Sequence, residues 1–374
     1  MKKILIMYAS YGTGHKKIAE YIENYFKENG NFKIETIDIL QNSTPILGSL
    51  SKKTFEKMNF SIPFLWDFLY NVFNRKLYLF PKNAIMFSWF KNKKLKNKII
   101  EYKPDLVIST HYFCSTIISH FKTKKKINSK LITIVTDYEA HEFWLENEKQ
   151  EDYLIVGSAI EKKEIIKKGF SRHKIKDTGI PLSKEFDPKN YNREKTFETY
   201  NLNSKHKTLV FFCSRGNITS SYVKELVKNN LKYNIIIVTG NNTKLKQKIT
   251  KIKEKEETNN IKILGYINNV PELLNIADLV VTKPGGATVT ECLYFNVPMI
   301  FVGKHSGQEK ANAKYLEQQK CALIVNSKKK LIKELKKILE NDNKLLKYKN
   351  NISKISKKDA MEKLYSLALK LLEE

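Results

Sequence analysis

Long hydrophobic runs are absent from this chain of 374 residues. No stretch reaches the roughly 18 apolar residues that a membrane-spanning helix needs, so no such helix is expected. Two lysines precede the apolar run Ile4–Ala9 near the start, but this run has the length of a strand and is short for the core of a signal peptide. It predicts a first β-strand in a cytoplasmic protein.

Cysteine is also scarce. The chain has only four, which are far apart and lack the spacing of metal ligands or of a disulfide framework. We therefore expect no metal site, and four small buried side chains in a reducing compartment. These residues are Cys114, Cys213, Cys292 and Cys321.

Acidic residues are few relative to basic ones: 39 Asp and Glu stand against 67 Lys and Arg, for a net charge of +28. An excess of this size predicts an anionic partner, either nucleic acid or acidic lipid. Lys, Asn and Ile are abundant together, however, and a bias in the coding sequence alone can produce that. The local distribution of charge is therefore more informative than its sum.

One stretch, Ser51–Lys98, combines twelve aromatic residues with eleven Lys or Arg and only two acids. Aromatic rings at the acyl boundary and lysines at anionic headgroups are typical of a membrane surface. Two other interpretations stay open: the rings pack as core beneath ordinary surface lysines, or they stack on single-stranded nucleic acid. Because no known nucleic-acid module is present, we expect an anionic membrane surface and no nucleic acid.

Elsewhere, short apolar runs alternate with helical stretches, which predicts βα units and parallel sheets. A polar segment, Pro181–Ser204, divides the pattern in two. We predict two doubly wound α/β domains with a ligand cleft between them, over residues 1–185 and 200–350, and a final helix within 355–374. The predicted strands are Lys3–Ala9, Lys33–Ile39, Leu106–Ser109, Leu131–Thr136, Tyr153–Val156, Thr208–Cys213, Asn234–Thr239, Ile261–Leu264, Leu279–Thr282 and Met299–Val302.

The first chemical motif follows the first strand and contains Gly12, Gly14 and His15. Glycines allow a ligand to approach bare backbone, and a helix start offers N–H groups suited to phosphate. His15 can take a proton from an attacking hydroxyl. Asp137 follows another predicted strand and can orient that histidine.

A second motif combines a strand, a Pro-Gly-Gly bend and a helix. Its N–H groups suit a diphosphate, and Glu291, one helical turn further, suits two vicinal ribose hydroxyls. The bend and helix start comprise Pro284, Gly285, Gly286, Ala287 and Thr288.

Three smaller motifs follow other strands. Gln308 and Glu309 present an amide and a carboxylate, which suit sugar hydroxyls. Arg215 can neutralise a phosphate. The backbone of Gly265, Tyr266 and Ile267 can pair with the edge of a base.

Together, YGTGH, TDYxxHxxW, LGYI, KPGGATVTE and GQEKANA resemble glycosyltransferase family 28, in the branch of the processive diacylglycerol glucosyltransferases and monogalactosyldiacylglycerol synthases. The resemblance covers Lys3 to about Leu371 and implies the GT-B fold, with the last helix returning to the first domain. By the family's motifs, Glu291 would bind ribose, residues 285–288 the diphosphate, and the backbone of Tyr266 and Ile267 the uracil. Gln308 and Glu309 would hold the hexose, and His15 would be the base. The chain departs from the family at Cys213-Ser214-Arg215-Gly216, where relatives have a small turn.

The resemblance implies a peripheral enzyme on the inner face of the cell membrane that moves glucose or galactose from a UDP-sugar to diacylglycerol or a glycosyl-diacylglycerol. We expect no cofactor and no metal, because no acidic DxD cluster is present and helix dipoles can stabilise the departing UDP. Three alternatives stay open: another acceptor, a UDP-sugar epimerase, and a basic nucleic-acid-binding protein.

Overall fold

The computed structural model describes residues 1–11, 13–42, 92–213, 218–229, 231–256, 260–303, 305 and 307–374. Two compact units divide the chain: Met1–Ser183, Ser306–Gln308 and Lys357–Glu374 form unit 1, and Lys184–His305 and Glu309–Ser356 form unit 2. Gly12, Arg215 and most of the aromatic and basic stretch, up to Lys91, lie outside the described residues.

Unit 1 is built on a six-stranded sheet in the order β2-β1-β3-β4-β5-β6, with every pair parallel. Parallel strands covered on both faces are apolar along their length, as in β3, where all four residues are buried. Its strands are β1 (Lys3–Tyr8), β2 (Lys33–Asp38), β3 (Leu106–Ser109), β4 (Lys130–Ile134), β5 (Tyr153–Ile155) and β6 (Ile175–Lys176). Its first helices are α1 (Thr13–Asn29), α2 (Lys93–Tyr102), α3 (Tyr112–Thr123) and α4 (Ala159–Lys167).

Unit 2 contains a second all-parallel sheet, in the order β12-β11-β10-β7-β8-β9. Its strands are β7 (Thr208–Phe212), β8 (Asn234–Val238), β9 (Ile261–Leu264), β10 (Leu279–Thr282), β11 (Met299–Val302) and β12 (Ala322–Val325). The helices are α5 (Arg193–Thr199), α6 (Ser220–Lys228), α7 (Thr243–Lys255), α8 (Val270–Ile276), α9 (Gly286–Tyr294), α10 (Gly307–Gln318), α11 (Lys328–Leu339) and α12 (Asp342–Ile355).

The last helix, α13 (Ala360–Glu373), packs within unit 1. Its Tyr365 ring meets the ring of Phe26 edge-on, with centroids 5.0 Å apart. The Tyr365 hydroxyl donates to the carbonyl oxygen of Asn29 at 2.5 Å. The C-terminal segment is thereby fixed against α1.

The predicted doubly wound α/β fold is confirmed, and all ten predicted strands are present. Two edge strands, β6 and β12, were not predicted. The polar segment Pro181–Ser204, predicted as a linker, contains the helix α5 and two 3-10 turns. The four cysteines are buried and unpaired, as expected. In the described part of the chain, no helix has the length and apolarity to cross a membrane.

Candidate active site

The first candidate group lies at the carboxyl end of the unit 1 sheet, where the strand order reverses. The chain leaves β1 for β2 on one side and returns to β3 on the other, and ligands bind at such switch points. His15 lies in the first turn of α1, Thr110 directly follows β3, and Thr136 follows β4. Three loops from three neighbouring strands therefore meet at His15.

The hydrogen bonds of the His15 ring define its orientation and its tautomer. Nδ1 lies 2.7 Å from the carbonyl oxygen of Thr110 and 3.0 Å from the hydroxyl oxygen of Thr136. Because a carbonyl oxygen can only accept, we assign the ring proton to Nδ1, which leaves the lone pair on Nε2. The Thr110 hydroxyl donates to the His15 carbonyl oxygen at 3.1 Å, which fixes the backbone as well.

His15 is also held in its neutral form. Burial lowers its pKa to about 4, against a smaller opposing effect of the Thr110 carbonyl. The His111 ring packs edge-on against it, with centroids 4.7 Å apart. Burial lowers the pKa of His111 as well, and that of His141 to about 3. At neutral pH, therefore, His15 has an unprotonated Nε2 that can accept a proton.

Asp137 was predicted to orient His15. It is half-buried and follows Thr136 directly in the chain. The partners of Nδ1 are Thr110 and Thr136, so these two groups do the orienting that was expected of a carboxylate. A role for Asp137 stays a prediction. Sequence reasoning did not find Thr110, because a backbone carbonyl leaves no signal in residue type.

The second candidate group lies at the switch point of the unit 2 sheet, between β7 and β10. The loop Lys283–Gly285 follows β10 and leads into α9. Gly285 caps this helix without a side-chain hydrogen bond, so the cap residue itself leaves the first N–H groups open to an anion. Thr288 is half-buried in the first turn, and Glu291, one turn further, is buried with 6% of its surface exposed.

Two contacts support this loop from α10. The side-chain amide of Asn312, which is fully buried, donates to the carbonyl oxygen of Pro284 at 3.0 Å. Lys283 forms an ion pair with Glu309. The sequence motif GQEKAN contains Glu309 and Asn312, but nothing in it predicted that Asn312 holds the loop.

Neither the backbone conformation nor the packing against the described residues requires glycine at position 285. Its φ of −73° and ψ of 136° suit any residue. Among the described residues, the nearest neighbours of a Cβ built on it are two atoms of the Lys283 side chain at 3.9 Å, which is ordinary contact. By contrast, Gly179 needs to be glycine, since its φ is +98° and a Cβ would lie 2.5 Å from Cβ of Lys357. The described residues therefore leave space beside Gly285 that lets a ligand approach the backbone.

The other predicted residues that the structure describes lie in three places. Gln308 is half-buried near the start of α10, and Gly14 is half-buried in the first turn of α1. Gly265, Tyr266 and Ile267 follow β9, three strands away from β10 in the sheet and so roughly 14 Å from it. Tyr266 is 61% exposed. Within the described residues, no group of three or more His, Cys, Asp or Glu can hold a metal ion.

Comparison with solved structures identifies the fold. The fold is similar to that of MurG from Acinetobacter baumannii, with a TM-score of 0.67 and 14% identity over 99% of this chain and 100% of that one. It is also similar to UDP-GlcNAc 2-epimerase from Neisseria meningitidis bound to UDP-GlcNAc, with a TM-score of 0.63 and 11% identity over 98% of this chain and 100% of that one. The fold is GT-B, and a likeness of this kind does not separate a transferase from an epimerase.

The family is identified from sequence. Residues 15–182 match the family Monogalactosyldiacylglycerol (MGDG) synthase, and residues 217–364 match the Glycosyltransferase family 28 C-terminal domain. The chain is 28% identical over 374 residues to the processive diacylglycerol beta-glucosyltransferase of Bacillus subtilis (strain 168), covering 99% of this chain and 95% of the relative. The chain therefore belongs to glycosyltransferase family 28, as its motifs predict.

Proposed function

We propose that this enzyme transfers a hexose from a UDP-hexose to the hydroxyl of diacylglycerol, or of a glycosyl-diacylglycerol, on the cytoplasmic face of a membrane. The observation that carries the proposal is the oriented, unprotonated His15 in a chain whose two halves match a galactolipid synthase family and family 28. The N–H groups at the start of α9 and the buried Glu291 supply the donor site that such a reaction needs.

The proposed reaction is a single displacement with inversion. Nε2 of His15 removes the proton of the lipid hydroxyl as that oxygen attacks the anomeric carbon, and the bond to the UDP oxygen breaks. The lone pair on Nε2 suits this role because Nδ1 is engaged by Thr110. Such a base supplies roughly 10²–10⁴-fold in rate.

The departing UDP gains negative charge near the loop Lys283–Gly285. The N–H groups at the start of α9 oppose this charge where it develops. We propose that they do so without a divalent metal. Undiminished activity after treatment with EDTA supports this part of the proposal, and an activity that only added Mg²⁺ or Mn²⁺ restores contradicts it.

The first experiment measures UDP release from UDP-glucose and UDP-galactose with and without diacylglycerol. We expect release that depends on the lipid, and a glycolipid product with inverted anomeric configuration. Two outcomes contradict the proposal: release with a soluble acceptor only, or interconversion of the UDP-sugar without any acceptor. The second is the epimerase alternative, which the fold alone leaves open.

A cluster of cations in unit 1 supports the membrane part of the proposal. Lys93 and Lys94 are exposed on α2, and Lys124–Lys126 are exposed after α3. The two groups meet where Lys96 contacts Lys126: the contact with Lys96 and its charge lower the pKa of Lys126, as does the charge of Lys124. None of these lysines is in an ion pair within the described residues. A phosphate-bearing surface would relieve their mutual repulsion.

Flotation with vesicles tests this part. We expect binding to vesicles that contain phosphatidylglycerol, with a loss at high salt. Replacing Lys96, Lys124 and Lys126 with Gln should weaken it more than replacing Lys328–Lys330 with Gln, a change of equal charge on α11 in unit 2. Equal effects of the two triple variants, or equal flotation with neutral vesicles at high salt, would contradict a specific surface.

A further inference from the structure

His305 lies between β11 and α10, next to the loop that follows β10. Both ring nitrogens are buried, and neither has a hydrogen-bond partner among the described residues. The ring meets Phe301 edge-on, with centroids 6.4 Å apart. A buried polar group without a partner costs free energy. A ligand bound beside this loop would supply the missing hydrogen bond.

The charges around His305 indicate what kind of partner this is. Burial lowers the pKa of His305, while the charge of Glu309 raises it and that of Lys283 lowers it. The ring is therefore neutral at pH 7, with one N–H donor and one lone pair. Lys283 and Glu309 form an ion pair with each other, so the three side chains together have no net charge. A hydroxyl, which both donates and accepts, matches this group better than a phosphate does.

We propose that His305 is a specificity-determining residue that hydrogen-bonds a hydroxyl of the donor hexose. The inference rests on the proposed function and extends it to a residue outside the recognised motifs. A neutral imidazole at a fixed position forms a better hydrogen bond with a hydroxyl of one configuration than with the corresponding hydroxyl of the epimeric sugar. His305 therefore contributes to the choice between hexoses that differ at a single carbon.

Calorimetry with UDP, UDP-glucose and UDP-galactose tests the proposal. In His305→Leu, which keeps an apolar side chain in place of the ring, we expect the affinity for the preferred UDP-hexose to fall about tenfold, the effect of one neutral hydrogen bond. The affinity for UDP should change less than twofold. His305→Asn and His305→Gln each retain an amide near one ring nitrogen, and recovery by either identifies the nitrogen that binds. His206→Leu, at an exposed histidine of the same unit, is the matched control.

Thermal unfolding separates a ligand role from a packing role. If His305 serves to bind a ligand, His305→Leu should leave the melting temperature of the ligand-free protein unchanged or raise it. The substitution should reduce only the increase in melting temperature that UDP-hexose causes. A lower melting temperature without ligand, unchanged UDP-hexose affinity, or an equal loss of UDP affinity would overturn the proposal. Failure of the wild-type protein to bind UDP would instead contradict the proposed function.

Discussion

Lowering the pH from 8 to about 5.5 is expected to leave proton removal by His15 almost unchanged. An ordinary histidine, with a pKa near 6.5, is mostly protonated at pH 5.5 and cannot act as a base. Burial lowers the pKa of His15 to about 4, and its Nδ1 proton is engaged by Thr110 and Thr136. The structure therefore keeps Nε2 unprotonated well into the acidic range.

The size of the difference follows from the two pKa values. At pH 5.5, a group of pKa about 4 is about 97% unprotonated, whereas a group of pKa about 6.5 is about 9% unprotonated. If the neutral form of His15 is the base, kcat/KM for the lipid acceptor should fall by less than about twofold between pH 8 and 5.5. An ordinary histidine would give a fall of roughly tenfold.

The assay is UDP release at saturating UDP-hexose, with kcat/KM measured across pH 5.5–8 and folding checked by circular dichroism at each pH. His15→Ala should lower kcat by about 10²–10⁴-fold while UDP affinity changes less than twofold. His206→Ala, at an exposed histidine, is the control. A tenfold loss at pH 5.5 with a midpoint near 6.5 would refute the neutral base, and an active His15→Ala would refute the base itself.

Three further predictions concern single side chains. Glu291→Ala should weaken UDP binding by roughly 10–100-fold, because a buried carboxylate that accepts ribose hydroxyls is lost, and unaltered calorimetry would rule out that role. Asn312→Asp should weaken UDP binding more than Asn312→Ser, since a carboxylate cannot donate to the Pro284 carbonyl; equal affinities would contradict its support of the loop. Glu151 is buried, and burial raises its pKa from 4.5 to about 8. The folded state therefore binds this proton more tightly than the unfolded state does. The resulting contribution to stability is complete below pH 4.5 and is lost as the pH rises from 4.5 through 8. Glu151→Gln should therefore gain stability relative to the wild type by up to about 1.4 kcal/mol per pH unit over that window, and melting curves whose difference does not vary with pH would contradict this.

The sheets could be predicted because a strand covered on both faces must be apolar along its length. The runs at β3 and β10 show this directly, with all residues buried. The strand β6 could not be predicted from composition, because its two residues are a strand only through pairing with β5. The helix α5 lies in a polar segment whose composition predicts a linker. The sequence feature that indicates this helix is its N-cap residue, Asn192, whose side chain accepts from the backbone N–H of Lys195 at 3.1 Å.

The residue types in the sequence were enough to predict which edge of each sheet carries the candidate site. Carboxyl ends of neighbouring parallel strands converge, so polar motifs after predicted strands could be expected to share an edge. Residue types alone do not predict which groups are in contact within the site. The carbonyl that orients His15 belongs to Thr110, 95 residues away. The amide that holds Pro284 belongs to Asn312, 28 residues away. Both contacts depend on the tertiary register, which a single sequence does not contain.

Gly285 offers a way to separate binding from folding, because neither its backbone nor its packing against the described residues requires glycine. Gly285→Ala adds one methyl group at ordinary contact distance from Lys283, so the melting temperature should stay within about a degree of the wild type. The same methyl would stand beside the N–H groups of the α9 start, where we place the diphosphate. We expect UDP affinity to fall by at least about tenfold.

Gly179→Ala is the matched opposite. Its positive φ and the 2.5 Å approach to Lys357 predict a loss of stability in unit 1, while UDP affinity of the folded protein stays unchanged. The two variants together distinguish a glycine kept for a ligand from one kept for the backbone. If Gly285→Ala binds UDP as the wild type does, the diphosphate does not lie on this helix start, and the donor site must be sought elsewhere in the molecule.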